Sequence, residues 1–426
     1  MVKFLRTGSK ILHENLGGSF MKKFLAVFLA IVMVAGLFAL TACSDKGNTD
    51  PSGTSGSADK PAASDYKIAM ITDYGDITDQ SFNQTTYEAC TAFGEANNIP
   101  FEYFKPADNT DAAREAMIDN AIDKGYNVIV MPGYAFATAI LKCAPNYPDV
   151  KFFALDVAKG DFLEAGVKLA GEEYDYNPDN WDFEKYVNLD NIYSAIYKEE
   201  LSGYMAGYAA VKLGYTKLGF LGGMAVPAVV RFGYGYVQGA DTAAKELDIT
   251  IDMNYVYGGK FAGDPAITAV MDTWYQGGTE VVFACGGGIY TSAAEAAQKK
   301  GMKVIGVDTD QKPIIDGGYG DGITVTSAMK GLAPATKDTL AAIVAGKWDE
   351  YKGKITSLGL VSGDDPTLNY VQLPMDSTQF GEGFTKEDYT ALVKKMFDGE
   401  ITVSDDITAF PTVTNTNVSN QGSIIG

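Results

Sequence analysis

Two successive series of alternating strand-like and helix-like segments constrain the fold of this 426-residue chain more than any other feature. The first series predicts short apolar strands at 67–72, 101–104, 128–131 and 152–155. The second predicts strands at 192–197, 218–221, 251–257, 281–284 and 304–307, with helices at 199–213, 232–247, 265–275 and 292–300. Parallel strands need helical crossovers, so the alternation predicts an α/β protein with two doubly wound parallel sheets.

Segment 159–191 interrupts this rhythm. It is acidic and aromatic and has no clear period, so we expect a surface insertion there. About 360 residues follow Asp65, which is more than one hydrophobic core usually supports, and two domains are therefore expected.

The N-terminal segment has the features of an export signal. Lys22 and Lys23 precede an uncharged apolar run that ends in Leu40-Thr41-Ala42-Cys43. This ending resembles a bacterial lipobox, so we expect a lipoprotein signal at 21–42 and a lipid on Cys43, at the extracytoplasmic face of the cell membrane. Residues 1–20 precede the basic start, and the codons for Leu16-Gly17-Gly18 can contain a ribosome-binding sequence. We therefore expect 1–20 to be a mis-called upstream extension.

The segment after Cys43 is rich in Gly, Ser, Asp and Pro, which predicts a flexible tether over 43–65. The only histidine, His13, precedes it, so the exported body has no histidine for a Ser-His, Cys-His or His-metal site. The chain carries a net charge of −20, and removal of the basic leader makes the body more acidic. Such acidity argues against nucleic-acid binding.

The remaining cysteines, Cys90, Cys143 and Cys285, are odd in number and widely spaced. This pattern fits neither a disulfide framework nor a CxxC metal site, and it favours three buried small apolar side chains.

Polar residues follow several predicted strands at the edge where open parallel sheets bind ligands. Asp73, Asp156 and Asp308 each directly follow a strand, and Ser327 and Lys330 follow 323–326. Any one aspartate could be a helix cap or a turn former, but three at equivalent ends, with a lysine, favour a binding site. Carboxylates accept paired donors such as those of a sugar or a nucleobase.

Glycines and aromatic residues complete the candidate site. Gly222-Gly223 and Gly286-Gly287-Gly288 allow a ligand to approach the backbone closely. Phe82 and Phe232 are predicted to begin helices beside the cleft, where they could stack on a flat base or simply pack against the sheet. Ser81 with Gln84 reads as a capping box for the first of these helices.

A dehydrogenase is the enzymatic alternative, because Gly286-Gly287-Gly288 and Asp308 mimic a dinucleotide fingerprint. The pattern GxGxxG fails at Thr291, and the Gly233/Gly235 pair fails at Gln238. Export also removes the protein from the cofactor pool, so we expect no enzyme and no cofactor.

Four sequence blocks together resemble the basic membrane protein family, whose best-understood members are purine nucleoside receptor lipoproteins. They span about Lys67 to Lys330 and comprise TDYGDITDQSFN at 72–83, GGMAVP at 222–227 with RFGYGY at 231–236 and Gly239, CGGG at 285–288 with GVDTDQ at 306–311, and TSAMK at 326–330.

The resemblance implies a class I periplasmic-binding-protein fold, with two lobes joined by a three-strand hinge. The implied first lobe is 66–195 plus 327–358, with the insertion at about 159–191, and the second is 196–326 plus 359–426. The resemblance also implies a monomeric receptor that passes a nucleoside to an ABC permease.

The resemblance also assigns the ligand contacts. Asp73, Asp156, Asp308 and Lys330 would hold ribose hydroxyls and base edges, and Phe82 and Phe232 would sandwich the base. Asn83 and Gly287 lie in the matching blocks, and Tyr74 stands beside the expected base site where the family often carries Asn. A sugar receptor of the same fold, or a sensory surface lipoprotein that transports nothing, remain alternatives.

Overall fold

The computed structural model describes residues 63–425, which contain two sheets of mainly parallel strands. The first sheet has the order β11-β5-β4-β3-β1-β2 and is parallel throughout. Its strands are β1 (Ile68–Ile71), β2 (Phe101–Phe104), β3 (Val128–Pro132), β4 (Lys151–Leu155), β5 (Ile192–Tyr197) and β11 (Lys354–Leu358).

The second sheet has the order β12-β10-β9-β8-β6-β7-β13, and only the β10–β12 pairing is antiparallel. Its strands are β6 (Lys217–Gly222), β7 (Ile251–Tyr257), β8 (Val281–Cys285), β9 (Lys303–Asp308), β10 (Thr324–Lys330), β12 (Val371–Gln372) and β13 (Thr416–Ser423). The prediction of two doubly wound sheets is confirmed, and the nine predicted strands are found to within one residue at each end.

Helices cover both faces of each sheet. They are α1 (Phe82–Asn97), α2 (Asp111–Asp123), α3 (Ala137–Cys143), α4 (Lys159–Leu169), α5 (Phe183–Tyr186), α6 (Glu199–Lys212), α7 (Pro227–Glu246), α8 (Pro265–Gln276), α9 (Tyr290–Lys300), α10 (Lys312–Tyr319), α11 (Leu332–Val344) and α12 (Lys386–Phe397). Alternate residues of β1 enter different cores: Ala69 and Ile71 pack on one face of the sheet, Ile68 and Met70 on the other. A sheet buried on both faces explains why its strands are continuous apolar runs.

The chain crosses between the lobes three times, after β5, β10 and β11. The expected boundary at 195/196 falls inside β5, which stays in the first sheet as far as Tyr197. The expected boundary at 326/327 falls inside β10, because Ser327, Ala328 and Met329 still pair with β9. Ser327 and Lys330 therefore lie within a strand and do not follow one. The third crossing follows β11, which ends at Leu358.

The segment 159–191 is only partly a surface insertion. Its first third forms α4, the crossover helix between β4 and β5, and Phe162, Leu163 and Val167 on this helix are fully buried. The helix was not recognised from the sequence because small residues and glycines weaken the periodic spacing of its apolar residues. The remainder holds α5 and a short 3-10 turn at Pro178–Asn180, with a small aromatic cluster around Tyr174 and Trp181.

Helix α7 begins at Pro227, five residues before the predicted start at Phe232. Pro227 occupies the first helical position, where its missing N–H leaves no hydrogen bond unmade. Phe232 consequently lies in the second turn of the helix and not at its beginning.

Helices α6 and α7 pack with their backbones in contact along four glycines. A Cβ atom at Gly203, Gly207, Gly235 or Gly239 would lie only 2.0–2.1 Å from a carbonyl oxygen of the other helix. Only glycine permits this approach, and the packing fixes the start of α6 against the second and third turns of α7.

The folded body includes the end of the predicted tether, because Ala63–Asp65 form a 3-10 turn and Tyr66 is buried. The expected extension at 1–20, the signal at 21–42 and Cys43 lie outside the described residues. Cys90, Cys143 and Cys285 are buried and free. Within 63–425, no helix combines the length and the apolar character that crossing a membrane requires.

Candidate ligand-binding site

A cavity of about 490 Å³ lies between the lobes, at the carboxyl ends of the parallel strands of both sheets. This is where open α/β sheets bind ligands, and the volume falls within the range of about 300–1,000 Å³ typical of small-molecule sites. All nine residues predicted from the sequence line it: Asp73, Tyr74, Phe82, Asn83, Asp156, Phe232, Gly287, Asp308 and Lys330.

Asp156 and Asp308 reach the cavity through the same backbone conformation. Asp156 follows β4 with a φ of 60°, and Asp308 ends β9 with a φ of 66°. Aspartate is among the few residues with side chains that tolerate this left-handed region. The turn directs both carboxyls out of the sheets and toward each other, and Lys330 lies between them.

Lys330 is the buried cation of the site. Its ammonium forms an ion pair with Asp156 and lies 3.5 Å from Glu199 Oε1 and 3.9 Å from Asp308 Oδ1. Burial alone would lower the pKa of Lys330, but the three carboxylates outweigh it and raise the pKa above its usual value. Lys330 is therefore charged at neutral pH.

Burial also acts on the carboxyl groups. It raises the pKa of Asp156 and of Asp308, and Lys330 opposes the shift in both cases. Burial raises the pKa of Asp73 as well, against the lowering effect of the Gly75 and Tyr74 backbone N–H groups, which donate to its Oδ1 at 3.0 and 2.6 Å. Asp161, on the first turn of α4, has its pKa raised by burial to about 7.

Two cavity groups carry unused hydrogen-bonding capacity. Within the described part of the chain, Oδ1 of Asn83 and Oδ1 of Asp156 are buried and make no hydrogen bond. A buried polar atom without a partner is destabilising, and both atoms belong to residues that line the cavity. Each is therefore positioned to accept a donor from a ligand.

The aromatic residues surround the Lys330 ammonium. It lies 4.7 Å from the ring centroid of Phe82 and 5.9 Å from that of Phe232, within cation–π range. Phe232 is held in place by Phe283, whose ring centroid is 6.0 Å away. The two phenyl rings come from different lobes and line one cavity.

The capping-box prediction for Ser81 and Gln84 is wrong. Asp79 caps α1 instead, because its carboxylate accepts from the backbone N–H groups of Ser81, Asn83 and Gln84 at 2.9–3.0 Å. The Ser81 hydroxyl is thereby free to donate across the cleft to Asp308 Oδ2, at 2.5 Å. A side chain two residues further upstream completes the turn, and this geometry is invisible in a capping pattern.

Tyr74 and Gly287 lie at opposite walls. The Tyr74 hydroxyl donates to the sulfur of Met224 in the second lobe, at 3.6 Å. Gly287 has a φ of 52°, and a Cβ there would lie 2.8 Å from the Phe261 carbonyl oxygen, so only glycine fits.

Sequence reasoning missed two charged residues that organise the site. Glu199, at the start of α6, is fully buried and accepts from Arg231 Nε at 2.7 Å while facing Lys330. Glu199 follows β5 by two residues, so the strand-end argument used for the aspartates could have found it. Arg231 stood in a matching block, but nothing in the sequence paired it with Glu199.

These features describe a two-lobed protein with the fold of solute-binding receptors and a cavity between its lobes. The family described as "Bmp: ABC transporter substrate-binding protein PnrA-like" matches residues 66–363, and the chain belongs to this family. The resemblance found in the sequence is confirmed, and so is its implication that the protein is a receptor and not an enzyme.

Relatives and solved structures agree. The chain is 28% identical over 397 residues to the "ABC transporter nucleoside-binding protein BmpA" of Lactococcus lactis subsp. cremoris, covering 88% of this chain and 98% of the relative. It is 25% identical over 314 residues to an uncharacterized lipoprotein of Pyrococcus abyssi, covering 72% and 69%. An ABC transporter solute-binding protein of Aeropyrum pernix shares the fold, with a TM-score of 0.57 and 22% identity over 79% of this chain and 87% of that one.

As an ABC transporter substrate-binding protein, the chain has a small-molecule ligand and a membrane permease as its partners. Such receptors work outside the cytoplasm in association with the membrane, and lipoproteins are among the relatives of this chain.

Proposed function

We propose that this receptor binds a nucleoside, and specifically a purine nucleoside, in the cavity between its lobes, and delivers it to the permease. The observation that carries the proposal is the combination of two phenyl rings from opposite lobes with unpartnered carboxylate and amide oxygens in one cavity. A nucleoside has the matching chemistry, because it joins a flat base to a hydroxyl-rich sugar. The Lactococcus lactis relative, which is named as a nucleoside-binding protein, supports the same ligand class.

The two halves of the ligand would use different parts of the wall. The base would stack between Phe82 and Phe232, for which each face contributes roughly 1–3 kcal/mol by analogy with base–aromatic stacking. The hydroxyls and base edges would bond to Asp73, Asn83, Asp156, Asp308 and Lys330. Tyr74 and the Gly287 backbone would border the base.

Binding is tested by thermal unfolding of protein that has been unfolded and refolded to remove any carried ligand. Guanosine, inosine and adenosine are compared with ribose, arabinose and free adenine. A ligand selective for the native state at one hundred times its Kd adds about 2.7 kcal/mol, so a nucleoside should raise the midpoint by several degrees.

A shift with ribose or arabinose equal to that with nucleosides would favour a sugar receptor of the same fold. If no compound in the panel shifts the midpoint, the nucleoside assignment fails while the receptor class stands.

We further propose that the receptor is a monomer held at the membrane by lipid on Cys43. A Cys43→Ser variant should lose the lipid mass and leave the membrane fraction. Membrane retention of this variant would contradict the anchor. A sensory role without transport would be indicated if deletion of the permease left the response to the ligand intact.

A further inference from the structure

We propose that Gln311 and Ser81 form an interlobe latch that sets the lifetime of the ligand complex. The proposal rests on the proposed function, because a latch of this kind acts on a ligand enclosed in the cavity. Among the described residues, four side-chain hydrogen bonds cross the cleft near the cavity: Ser81 to Asp308, Gln311 to Gln80, Tyr74 to Met224, and Lys330 to Asp156. The first two lie side by side and join the loop after β1 to the loop after β9.

Gln311 is fixed in the second lobe and presents one group to the first. Its side-chain oxygen accepts from the Val307 N–H at 2.9 Å, and its backbone N–H donates to Ser327 Oγ at 3.1 Å. Its Nε2 then donates to the Gln80 carbonyl in the first lobe, at 3.0 Å. The side chain is completely buried, so its amide is preorganised to meet the opposite lobe whenever the cleft closes.

The first lobe is shaped to receive this amide. Gln80 has a φ of 55°, a backbone conformation that residues other than Gly, Asn and Asp rarely adopt. The turn is held by Asp79, which accepts from the Ser81 N–H at 3.0 Å. Strained backbone that surrounding contacts hold in place is typical of ligand clamps and switch regions.

Ser81 links the latch to the binding site. Its hydroxyl donates to Oδ2 of Asp308, while Oδ1 of the same carboxylate faces Lys330 at 3.9 Å. One carboxylate thus takes part in both the cavity wall and the contact between lobes. Gln311 adjoins this carboxylate but is not among the residues that line the cavity. It is therefore a positioning residue that stabilises the closed form without touching the ligand.

A latch has a kinetic signature that distinguishes it from a merely structural contact. A ligand enters the open form, in which these bonds do not exist. Their removal therefore does not slow association, and it raises kon only by the fraction of ligand-free molecules that the latch holds closed. Dissociation requires the bonds to break, so their removal raises koff. Loss of one hydrogen bond, which in the Ser81 case involves a charged acceptor, is expected to raise koff about tenfold.

The experiment measures guanosine association and dissociation by stopped-flow fluorescence for the native protein, Gln311→Glu and Ser81→Ala. The glutamate keeps an oxygen for the Val307 N–H but replaces the donor to Gln80 with an acceptor. Thr309→Ala, in the same loop at a partly exposed position, is the matched control. Small-angle scattering without ligand reports the separation of the lobes, and thermal unfolding checks that each variant is folded.

The expected result is a koff raised about tenfold in both variants, a kon within about twofold of the native value, an increased radius of gyration and no change for Thr309→Ala. Unchanged koff in folded variants overturns the latch, as does a lowered kon with unchanged koff. If the native protein binds neither guanosine, inosine nor adenosine, the proposed function fails instead. The latch is then judged by scattering alone, and an equal radius of gyration in all variants overturns it.

Discussion

Strands that hold equivalent positions in the two sheets carry the same residue type at their carboxyl ends in one case and different residue types in another. Strands β4 and β9 hold matching places in their sheets, and each is followed or ended by an aspartate in the left-handed conformation, Asp156 or Asp308. Strands β1 and β6 also correspond, yet β1 is followed by the buried Asp73, whereas β6 leads into Gly222-Gly223. The lobes share a carboxylate position and differ in the rest of their walls.

The two lobes therefore contribute different kinds of side chains to the cavity wall. The first-lobe wall is rich in hydrogen-bonding groups, namely Asp73, Tyr74, Asp79, Asn83, Tyr134 and Asp161. The second-lobe wall contains a continuous apolar stretch, Val226–Val229, together with Phe232 and Phe261. We infer that the first lobe supplies more of the directional contacts to a ligand. The second lobe adds Asp308 and Lys330 to these contacts and also supplies an apolar cover and one stacking face.

The largest expected effect comes from removing both aromatic faces. Phe82→Ala with Phe232→Ala should weaken guanosine binding by roughly 30-fold to 20,000-fold, because each face contributes roughly 1–3 kcal/mol. Isothermal titration measures the loss, and Phe397→Ala, at an exposed ring, is the control. Retained affinity in the double variant would show that the ligand is held by hydrogen bonds alone, and that the second lobe is not a stacking face.

Removal of the cation between the lobes should strongly destabilise the fold. Lys330→Met leaves Asp156, Glu199 and Asp308 without their shared partner, and breaking a buried pair typically costs about 3–5 kcal/mol. Urea unfolding at pH 7 measures this loss. The loss of unfolding free energy should become smaller as the pH falls toward 5, because protonation removes the uncompensated carboxylate charge.

The control for this change is Lys260→Met, which also borders the cavity but is half exposed and paired with Asp264. An exposed pair of this kind contributes about 0–1 kcal/mol. Equal losses of unfolding free energy for the two lysine variants would contradict the central role of Lys330.

Tight helix packing in the second lobe should couple stability to the stacking face. A Cβ at Gly203 would lie 2.1 Å from the Phe232 carbonyl oxygen, so Gly203→Ala must shift α7 and with it Phe232. We expect a loss of about 1–3 kcal/mol in unfolding free energy and weaker guanosine binding. Gly317→Ala in α10, where a Cβ meets open space, should be neutral or slightly stabilising. Native affinity in Gly203→Ala would separate helix packing from the stacking face.

The smallest effect concerns a carboxyl on the first-lobe wall. The folded pKa of Asp161 is raised to about 7, above its unfolded value near 4, because burial disfavours the charged form. The raised pKa therefore adds to the free energy of unfolding below about pH 4, and this added stability is lost as the pH rises toward 7. Asp161→Asn should therefore be more stable than the native protein at pH 8, by about 1–3 kcal/mol, and similar to it at pH 4. A constant difference across this pH range would show that Asp161 does not titrate with folding.

The sheets were predictable because buried parallel strands are short apolar runs, and because aspartates at strand ends follow a positional rule. The sequence correctly predicted that Lys330 lies at the ligand-binding edge of its sheet, although it ends a strand and does not follow one. The α4 helix was not predictable, since its buried face alternates with glycine and small residues.

Other parts of the site depend on contacts between distant segments. Glu199 and Arg231 are 32 positions apart in the sequence, and their ion pair joins helices α6 and α7. The bond from Ser81 to Asp308 joins residues 227 apart and exists only because Asp79 displaces Ser81 as the helix cap. Local patterns can indicate the individual residues but not which residue pairs with which, so only the folded geometry reveals these pairs.

The most direct test of the account is a crystal structure of the protein, refolded to remove carried ligand, after soaking or co-crystallisation with guanosine. The account predicts the base between Phe82 and Phe232, the ribose hydroxyls on strand-end carboxylates including Asp156, and the Gln311–Gln80 bond intact. A nucleoside bound outside the interlobe cavity, or seated in it without contact to either phenyl ring, would contradict the account.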